Sequence, residues 1–252
     1  QTIAPAHALV LRLGKVPVVC ADGPGFLVNR ILGPYLNEAG HLVSECVPIE
    51  KIDRVAVDFG MPMGPVRLLD EVGIDIARHA GETLHEAFGE RMAPSPILQR
   101  LSSSERLGKK TGFGFYRYEG GKEKGVDETV YAELGVTPST PLDPDEIRRR
   151  LVLVMVNEAA RILEEGIVGS AAEVDLGMIM GTGFPPFRGG LMRFADEQHP
   201  RTLLERLRDL EARHGARFAP APALIRAAEE NRLFYELFSA PARRTGAGTA
   251  EA

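Results

Sequence analysis

The chain has 252 residues, 44% of them hydrophobic, and a formal net charge of -5 at pH 7. Its 30 basic residues are scattered among 35 acidic ones, which argues against nucleic acid or an anionic membrane as its main partner. Cys20 and Cys46 form neither a CxxC pair nor a multi-cysteine framework, so we expect free thiols, a reducing compartment and no metal site. Because no apolar run is long enough to cross a bilayer, we expect a cytoplasmic protein without membrane insertion.

Residues 1–23 have the pattern of a helix followed by a short strand. Apolar residues recur at helical spacing over 2–13, Gly14 can stop the helix, and the β-branched run KVPVVCA at 15–21 predicts a strand. A lone strand must pair with another, so this segment predicts the last helix and strand of an α/β domain. The chain also begins without Met and inside a helical pattern, which is typical of a piece of a longer protein.

Residues 24–118 predict a first helical domain. A helical pattern covers 25–45, with Pro24 in its first turn and Pro34 expected to kink it. This pattern places Asn29 in the second turn of an otherwise apolar helix, although an asparagine amide competes with the backbone for hydrogen bonds. Further helices are predicted at 48–58, 65–72, 74–89 and 95–104, and a loop leading into an extended segment is predicted at 107–118.

The rest of the chain predicts a linker, a second helical domain and a tail. Residues 119–142 are rich in Gly, Pro, Thr and charge, which is typical of a surface linker. Residues 143–239 begin with a capping box at Asp143, which predicts a helix to residue 165, and Ser170 begins a second box. The other predictions are a helix from Ser170 to about residue 180, helices at 200–214 and 222–238, and a disordered tail at 240–252.

The two helical blocks share an ordered set of residues, which indicates a duplication. Asn37-Glu-Ala and Asn157-Glu-Ala are each followed by a glutamate, a helix containing an aspartate, a Gly-x-Pro turn and a second aspartate. We therefore predict a mainly α fold that contains two copies of an all-α domain. Two pairs of repeated carboxylates are predicted to be caps or inter-helix hydrogen-bond partners: Glu45 and Glu165, Asp70 and Asp196.

Three segments together resemble a known family. KVPVVCADGPGFLVNRI, GPVRLLDEVGIDIA and LGKKTGFGFYRY, at their separations, resemble the C-terminal region of the 3-hydroxyacyl-CoA dehydrogenases. The duplication resembles the long, multifunctional α-subunit of fatty acid β-oxidation complexes. The resemblance implies two domains of the 6-phosphogluconate dehydrogenase C-terminal type, preceded by a helix-strand remnant of a Rossmann domain. It further implies an acyl-CoA substrate, NAD bound by a missing domain, an enoyl-CoA hydratase domain in the same enzyme and a thiolase subunit as a candidate partner.

Asn29 is the catalytic residue to which the resemblance points. The family takes an asparagine from the motif Pro-Gly-Phe-x-x-Asn-Arg, and a neutral amide can hold a substrate oxygen without changing its protonation state. Phe26 of the same motif, Met61 and Met63 are predicted to contact the substrate, the two methionines along an acyl-chain groove. The alternatives are a helix-start residue bonded to its own backbone for Asn29 and ordinary core packing for the methionines.

No NAD site and no catalytic base can be identified in the sequence. GFGFYRYEGG and GTGFPPFRGG neither follow a parallel strand nor open a helix, and no histidine lies in the His-Phe-Phe-Asn-Pro setting of the family. The chain alone is therefore predicted to be inactive. The second copy lacks the asparagine motif and is predicted to be a scaffold that packs on the first.

Other charged residues and other classes of protein give weaker predictions. The run from Arg148 to Arg150 predicts a solvated helix face more strongly than a CoA phosphate site, and Lys109 and Lys110 predict an exposed loop at least as readily as a phosphate site. The main alternative function is a non-catalytic helical dimerisation or assembly module. A helical domain of a related hydroxyacid or phosphogluconate dehydrogenase is less favoured, because the lysine-centred motif of those enzymes is absent.

Overall fold

A computed structural model describes residues 2–101 and 104–239. In this part of the chain two strands form one antiparallel hairpin, and all other regular structure is helical, which confirms the predicted mainly α fold. The strands are β1 (Tyr116–Glu119) and β2 (Lys122–Val126). The helices are α1 (Ile3–Arg12), α2 (Val28–Ser44), α3 (Ile49–Phe59), α4 (Pro65–Val72), α5 (Ile74–Phe88), α6 (Pro96–Leu101), α7 (Thr129–Leu134), α8 (Pro144–Glu164), α9 (Ala171–Thr182), α10 (Leu191–Glu197), α11 (Pro200–His214), α12 (Pro222–Glu230) and α13 (Phe234–Leu237).

The two copies pack face to face through α2 and α8. Apolar side chains on both helices are almost completely buried, among them Ile31 and Tyr35 on α2 and Leu151 and Met155 on α8. These residues belong to one hydrophobic core that continues through both copies. Pro34 lies inside α2, as the sequence predicts. The second copy therefore packs on the first through a large apolar surface.

Asn37 and Asn157 make the same two bonds in the two copies. The Asn37 amide donates to the carbonyl of Ala93 at 2.8 Å, and its oxygen accepts from the N–H of Ser95 at 2.6 Å. Asn157 makes the matching bonds at 2.9 and 2.7 Å. In each copy the asparagine thus bonds backbone groups that lie outside the helices, at 93–95 in the first copy and at 219–221 in the second.

Asp53 and Asp175 connect helices in the same way in each copy. The Asp53 carboxylate accepts bonds from two N–H groups at the start of α4, at 2.8 and 2.9 Å, and from the Tyr116 hydroxyl at 2.7 Å. Asp175 accepts the matching bonds from the start of α10 and from the Tyr235 hydroxyl. Burial raises the pKa of Asp53 to about 6, although its three donors favour the carboxylate.

Asp70 and Asp196 attach the last segment of each copy to its centre. Asp70 accepts bonds from the N–H groups of Phe115 and Tyr116 at 2.9 and 2.8 Å, and Asp196 accepts from the first two residues of α13. An added Cβ at Gly108 would lie 2.4 Å from the Asp70 carbonyl oxygen, so the glycine-rich loop can approach this closely only without a side chain. The prediction that these carboxylates are structural partners is confirmed.

Residues 15–21 do not form the predicted strand. They are extended, but no described residue pairs with them as a neighbouring strand. The one backbone bond from this segment to the second copy runs from the Ala21 N–H to the carbonyl of Ile167, at 2.8 Å. The strand prediction is wrong for this structure because a strand requires an extended neighbour to share its backbone bonds.

The region 119–142 differs from the predicted linker, because it contains β2 and α7. Val130 and Leu134 on α7 are fully buried, and the Tyr131 hydroxyl accepts a bond from the N–H of Ile49 at 3.0 Å. Gly, Pro and charge are typical of loops, but here three apolar residues of a short helix pack against the first copy. This segment is therefore part of the first copy's packing.

Two predicted helix bounds also change. The helix predicted at 222–238 is divided into α12 and α13, because Asn231 adopts a left-handed conformation with a φ of 53°. The helix predicted at 95–104 begins at Pro96 and is described to Leu101. Its last predicted residues include 102 and 103, which lie outside the described residues, as does the predicted tail at 240–252.

Candidate active site

The turn before α2 determines where Asn29 lies. Gly25 has a φ of 74° and Phe26 a φ of 48°, and the Gly25 carbonyl accepts a bond from the Arg30 N–H at 3.1 Å. An added Cβ at Gly25 would lie 2.8 Å from that same nitrogen, so this position requires glycine. Because the turn continues through residue 27, α2 begins at Val28. Asn29 is thus in the first helical turn and not in the second, as the sequence pattern had indicated.

The Asn29 side chain is exposed and makes no hydrogen bond to another described residue. It does not bond its own backbone, which was the structural alternative for this residue. Its amide lies on the border between two concavities, which we name cavity A and cavity B, each of about 370 Å³. An uncommitted amide at such a border can donate to and accept from a ligand that reaches both cavities.

Cavity A lies within the first copy, between α2, α4, α5 and α6. Its walls are mostly apolar, and an added Cβ at Gly81 would meet no heavy atom within 4 Å. Arg78 and Glu82, paired at 2.6 Å, and His85 are its charged or titratable residues. The cavity can therefore hold an aliphatic chain with one end at Asn29. The apolar residues of its wall include Leu32, Leu36, Leu69, Ala77, Leu84 and Leu98.

Cavity B lies between the turn before α2, the extended segment 15–21 and α9 of the second copy. Phe26 borders it with 55% of its surface exposed, and Asn29 borders it from the α2 side. Gly177 and Gly181 of α9 form its opposite wall. Phe26 and Asn29, both predicted site residues, therefore line the same cavity.

Met61 and Met63 are not near these cavities. Met61 is buried with 5% exposure and borders a very small void between the copies, next to Phe59 and Leu151. Neither methionine lines cavity A or cavity B. The alternative of ordinary core packing describes Met61 in this structure. The mostly apolar cavity beside Asn29 is cavity A, which is lined in large part by α2 and α5. The sequence pattern did not predict this cavity, although Gly33 and Gly81, two glycines inside helices, were a signal for it.

Arg30, the last residue of the asparagine motif, binds the second copy. It is 2% exposed and donates to Glu158 at 2.7 Å and, with both terminal nitrogens, to Glu165 at 2.6 and 2.7 Å. These bonds lower the pKa of Glu165 below its usual range. Arg91 also approaches Glu158, at 3.4 Å. The residue next to Asn29 is thus fixed by carboxylates of the other copy.

Arg150 makes the mirror-image contacts. It is fully buried, donates to Glu38 at 2.6 Å and binds Glu45 with both terminal nitrogens at 2.5 and 2.8 Å. Arg217 also donates to Glu38, at 2.7 Å. The prediction of a solvated face is therefore wrong for Arg150, because its partners are carboxylates distant in sequence. Glu45 and Glu165 are inter-copy partners, as predicted.

Lys109 and Lys110 are part of the structure's ion pairs and do not face either cavity. Lys109 binds Glu71 at 2.8 Å, and Lys110 binds Asp75 at 2.5 Å. Both lysines are partly exposed, which agrees with the structural alternative. Among the described residues, no cluster of three or more His, Cys, Asp or Glu could hold a metal ion, and none of the described helices is long and apolar enough to span a membrane.

The described residues do not fit a dinucleotide. Their one sheet is a two-stranded antiparallel hairpin, whereas the Gly-rich phosphate-binding turn needs a parallel strand that leads into a helix. The glycines at 181–190 lie around α9, a 3-10 helix at Pro186–Arg188 and α10. The site built by these residues is thus an asparagine between two cavities, without a dinucleotide-binding turn.

The comparison with protein families identifies two matching regions, 25–118 and 147–237, both to the 3-hydroxyacyl-CoA dehydrogenase C-terminal domain. Together they cover well over half of the chain. The chain belongs to this family and contains its helical domain twice, which confirms the predicted duplication and the resemblance.

Named relatives are fatty acid oxidation complex α-subunits. That of Vibrio parahaemolyticus is 43% identical over 93% of this chain, and that of Shewanella loihica is 44% identical over 94%. The chain spans 33% and 34% of the length of these two proteins.

Solved structures show the same fold. The 3-hydroxybutyryl-CoA dehydrogenase of Escherichia coli K12 matches with a TM-score of 0.74 at 24% identity, over 90% of this chain and 64% of that one. The dehydrogenase part of multifunctional enzyme 1 from C. elegans matches with a TM-score of 0.64 at 26% identity, over 90% of this chain and 53% of that one.

Proposed function

We propose that this chain is the substrate-binding helical part of an NAD-dependent (3S)-3-hydroxyacyl-CoA dehydrogenase of fatty acid β-oxidation. The proposal is supported most by the Asn29 amide, which is exposed at the border of an apolar cavity and has no partner among the described residues. The enzyme would be multifunctional, with an enoyl-CoA hydratase domain and a thiolase subunit as a candidate partner, and cytoplasmic. The catalytic histidine and the NAD site would lie outside this chain.

Asn29 would hold the 3-oxygen of the acyl-CoA. Its Nδ2–H group donates a hydrogen bond to that oxygen, which accumulates negative charge when its proton leaves and the C–O bond becomes a carbonyl. The amide keeps its protonation state throughout, so it positions the oxygen without competing for the proton. Phe26, at the same opening, would pack against the substrate on the cavity B side.

Cavity A would hold the acyl chain. Asn29 borders it, its walls are mostly apolar and its volume of about 370 Å³ is within the range of small-molecule sites. A chain bound there would have its 3-carbon near Asn29 and its methyl end between α2 and α5. The acyl chain would thus lie in cavity A and not along Met61 and Met63.

The replacement of Asn29 tests the proposal in the full-length parent enzyme. We expect Asn29→Ala to lower kcat about 100-fold or more, as for loss of one oxyanion donor, while folding is retained. Asn29→Asp keeps the size of the side chain but removes the donor, and it should have an equally low kcat. His79→Ala, on an exposed position of α5 outside both cavities, is the control. Wild-type kcat in both Asn29 variants would refute the proposed role.

The chain by itself should not turn over substrate. Purified chain mixed with NAD and a 3-hydroxyacyl-CoA should give no rise in NADH absorbance, because its described residues contain no dinucleotide-binding turn and none of its histidines lies in the family's His-Phe-Phe-Asn-Pro setting. An NADH signal that depends on Asn29 would contradict this expectation.

An assembly module is the second candidate function, because α2 and α8 form an extensive, self-complementary interface. Within this chain, however, the two copies already cover that interface for each other. This favours a role in positioning α2 over a role in binding another subunit. The Asn29→Ala variant also separates the two functions: loss of assembly with normal kcat would favour the module.

A further inference from the structure

A third concavity, cavity C, lies between the start of α8, α10 and α11 of the second copy, with Phe59 of the first copy in its wall. Its volume is about 390 Å³. Four arginines line it, Arg148, Arg149, Arg188 and Arg206, against the single carboxylate of Asp145. A concave site with this excess of positive charge favours an anionic ligand.

Cavity C overlaps the place that corresponds to cavity A in the duplicated fold. Matching Asn37 with Asn157 and Asp70 with Asp196 pairs six residues of the two linings. The second copy has thus kept a cavity at the same place and changed its chemistry, with guanidinium groups where the first copy has an amide and a methyl group. The residues Asn29, Leu32, Gly33, Val72, Ala77 and Ala80 of cavity A correspond to Arg149, Val152, Leu153, Gln198, Leu203 and Arg206 of cavity C.

Two of the arginines have no acidic partner among the described residues. Arg188 stacks on the Phe59 ring, with its guanidinium carbon 4.2 Å from the ring centre, and donates Nε to the Phe59 carbonyl at 3.1 Å. Arg206 donates one nitrogen to the Gln198 side chain at 2.9 Å. Their remaining N–H groups are free to bind a ligand, and their positions are held by the protein. Arg188 and Arg206 are both half-buried.

The other two arginines are paired weakly enough to contribute. Arg148 lies 2.9 Å from Asp145, and Arg149 lies 3.3 Å from Glu146, with each arginine more than a third exposed. Exposed pairs of this kind contribute little to folding. A dianion could therefore attract both side chains at a low energetic cost.

We propose that cavity C binds a phosphorylated small molecule with an apolar or aromatic part, such as a nucleotide or the nucleotide end of CoA. Guanidinium groups match phosphate oxygens with two parallel bonds, and Phe194, Val152 and Leu203 supply apolar walls. The proposed role of cavity C is binding only. This proposal is independent of the dehydrogenase proposal.

Calorimetric titration of the purified chain tests the site. The probes are adenosine 3',5'-bisphosphate, adenosine and CoA. We expect the bisphosphate to bind, more weakly as salt is raised, and adenosine not to bind. Arg206→Ala and Arg188→Gln should each weaken binding of the bisphosphate at least about tenfold. Alanine is also the residue at the matching position of cavity A, Ala80. If CoA also binds, and the two arginine substitutions weaken its binding as well, the ligand is the nucleotide end of CoA. If the bisphosphate binds and CoA does not, the ligand is a free nucleotide.

The control uses the same helix. Arg208→Gln, on an exposed position of α11 outside cavity C, should bind the probes like the wild type. Circular dichroism shows whether each variant is folded. The proposal is overturned if neither phosphorylated probe binds, if adenosine binds as tightly as the bisphosphate, or if folded Arg206→Ala and Arg188→Gln variants both bind as the wild type does.

Discussion

Asn29 is available to a ligand because its neighbours, and not Asn29 itself, meet the structural needs of the helix start. Gly25 and Phe26 adopt the left-handed conformations that form the turn, and Arg30 makes the ion pairs that fix α2. A polar side chain at a helix start usually bonds a nearby N–H group. Asn29 makes no such bond to a described residue, so its amide remains exposed.

Gly81 offers a test of cavity A at a single position. In the full-length enzyme, Gly81→Leu should fill open space in the cavity without displacing a neighbour, since an added Cβ there meets nothing within 4 Å. We expect kcat/KM to fall about tenfold or more for long-chain substrates and to change little for a four-carbon substrate. The leucine side chain would occupy the space that several methylene groups of a long acyl chain need.

Ala87→Leu, exposed on the same helix and outside the cavity, is the matched control. Steady-state kinetics over a series of acyl chain lengths is the measurement. An equal loss of activity at every chain length would show that cavity A does not hold the acyl chain.

Single residues were predictable from the sequence where a local motif carries the information. Asn29 and Phe26 were predicted in this way as site residues, and both line cavity B. Arg150 was misinterpreted because its neighbours in sequence are arginines, whereas its partners Glu38 and Glu45 are 112 and 105 residues away. Pairing over such distances leaves no local pattern.

At the scale of elements, α9 of the second copy packs directly on the start of α2. An added Cβ at Gly177 would lie 2.4 Å from a Leu27 methyl group, and one at Gly181 would lie 2.9 Å from Val28. Both contacts are within two residues of Asn29. A helix of the predicted scaffold therefore packs against the first residues of the asparagine helix.

Gly181→Ala in the intact enzyme tests this contact. Alanine favours a helix by about 1 kcal/mol over glycine, so α9 should remain folded, while its methyl group pushes against Val28 and displaces Asn29. We expect kcat to fall about tenfold or more, with the folded state retained. Kinetics and a denaturation curve are the two measurements.

Ala172→Ser, exposed on the same helix, should leave kcat unchanged. Normal kcat in Gly181→Ala would mean that α2 tolerates the shift and that α9 does not position Asn29.

The bounds of helices were predicted well where a long apolar period is bounded by residues that begin or end a helix. They were predicted less well where contacts with distant residues determine whether a helix forms. The bounds of α4 and α11 agree with the prediction at both ends. The short α7 was missed because its sequence is rich in linker-like residues, and its stability comes from burying Val130 and Leu134. The strand at 15–21 failed for a similar reason, since pairing is not a property of one segment.

At the scale of the molecule, two sets of buried ion pairs connect the copies about an approximate two-fold axis. Arg30 binds Glu158 and Glu165, and Arg150 binds Glu38 and Glu45. The same surface is thus used on both sides, as in an isologous dimer. Removing Arg30 or Arg150 takes the main partner from a buried glutamate, and only Arg91 near Glu158 or Arg217 near Glu38 remains to compensate part of its charge.

Arg30→Met and Arg150→Met should therefore each lower the free energy of unfolding by about 3 kcal/mol or more. The approximate symmetry predicts similar losses for the two variants. Arg226→Met, which removes a largely exposed contact to Glu164 at 3.9 Å, should cost less than about 1 kcal/mol.

Urea denaturation of this chain followed by circular dichroism is the measurement. Losses no larger than that of the Arg226 variant would show that the inter-copy pairs do not hold the copies together.

The fusion of both partners into one chain has a consequence for how the two cavities can differ. In a dimer of identical subunits every substitution appears on both sides of the interface, so the two sites remain the same. Within a single chain, a change at position 149 leaves position 29 untouched. The covalent connection also keeps the halves together at any dilution, so the geometry around Asn29 is independent of protein concentration.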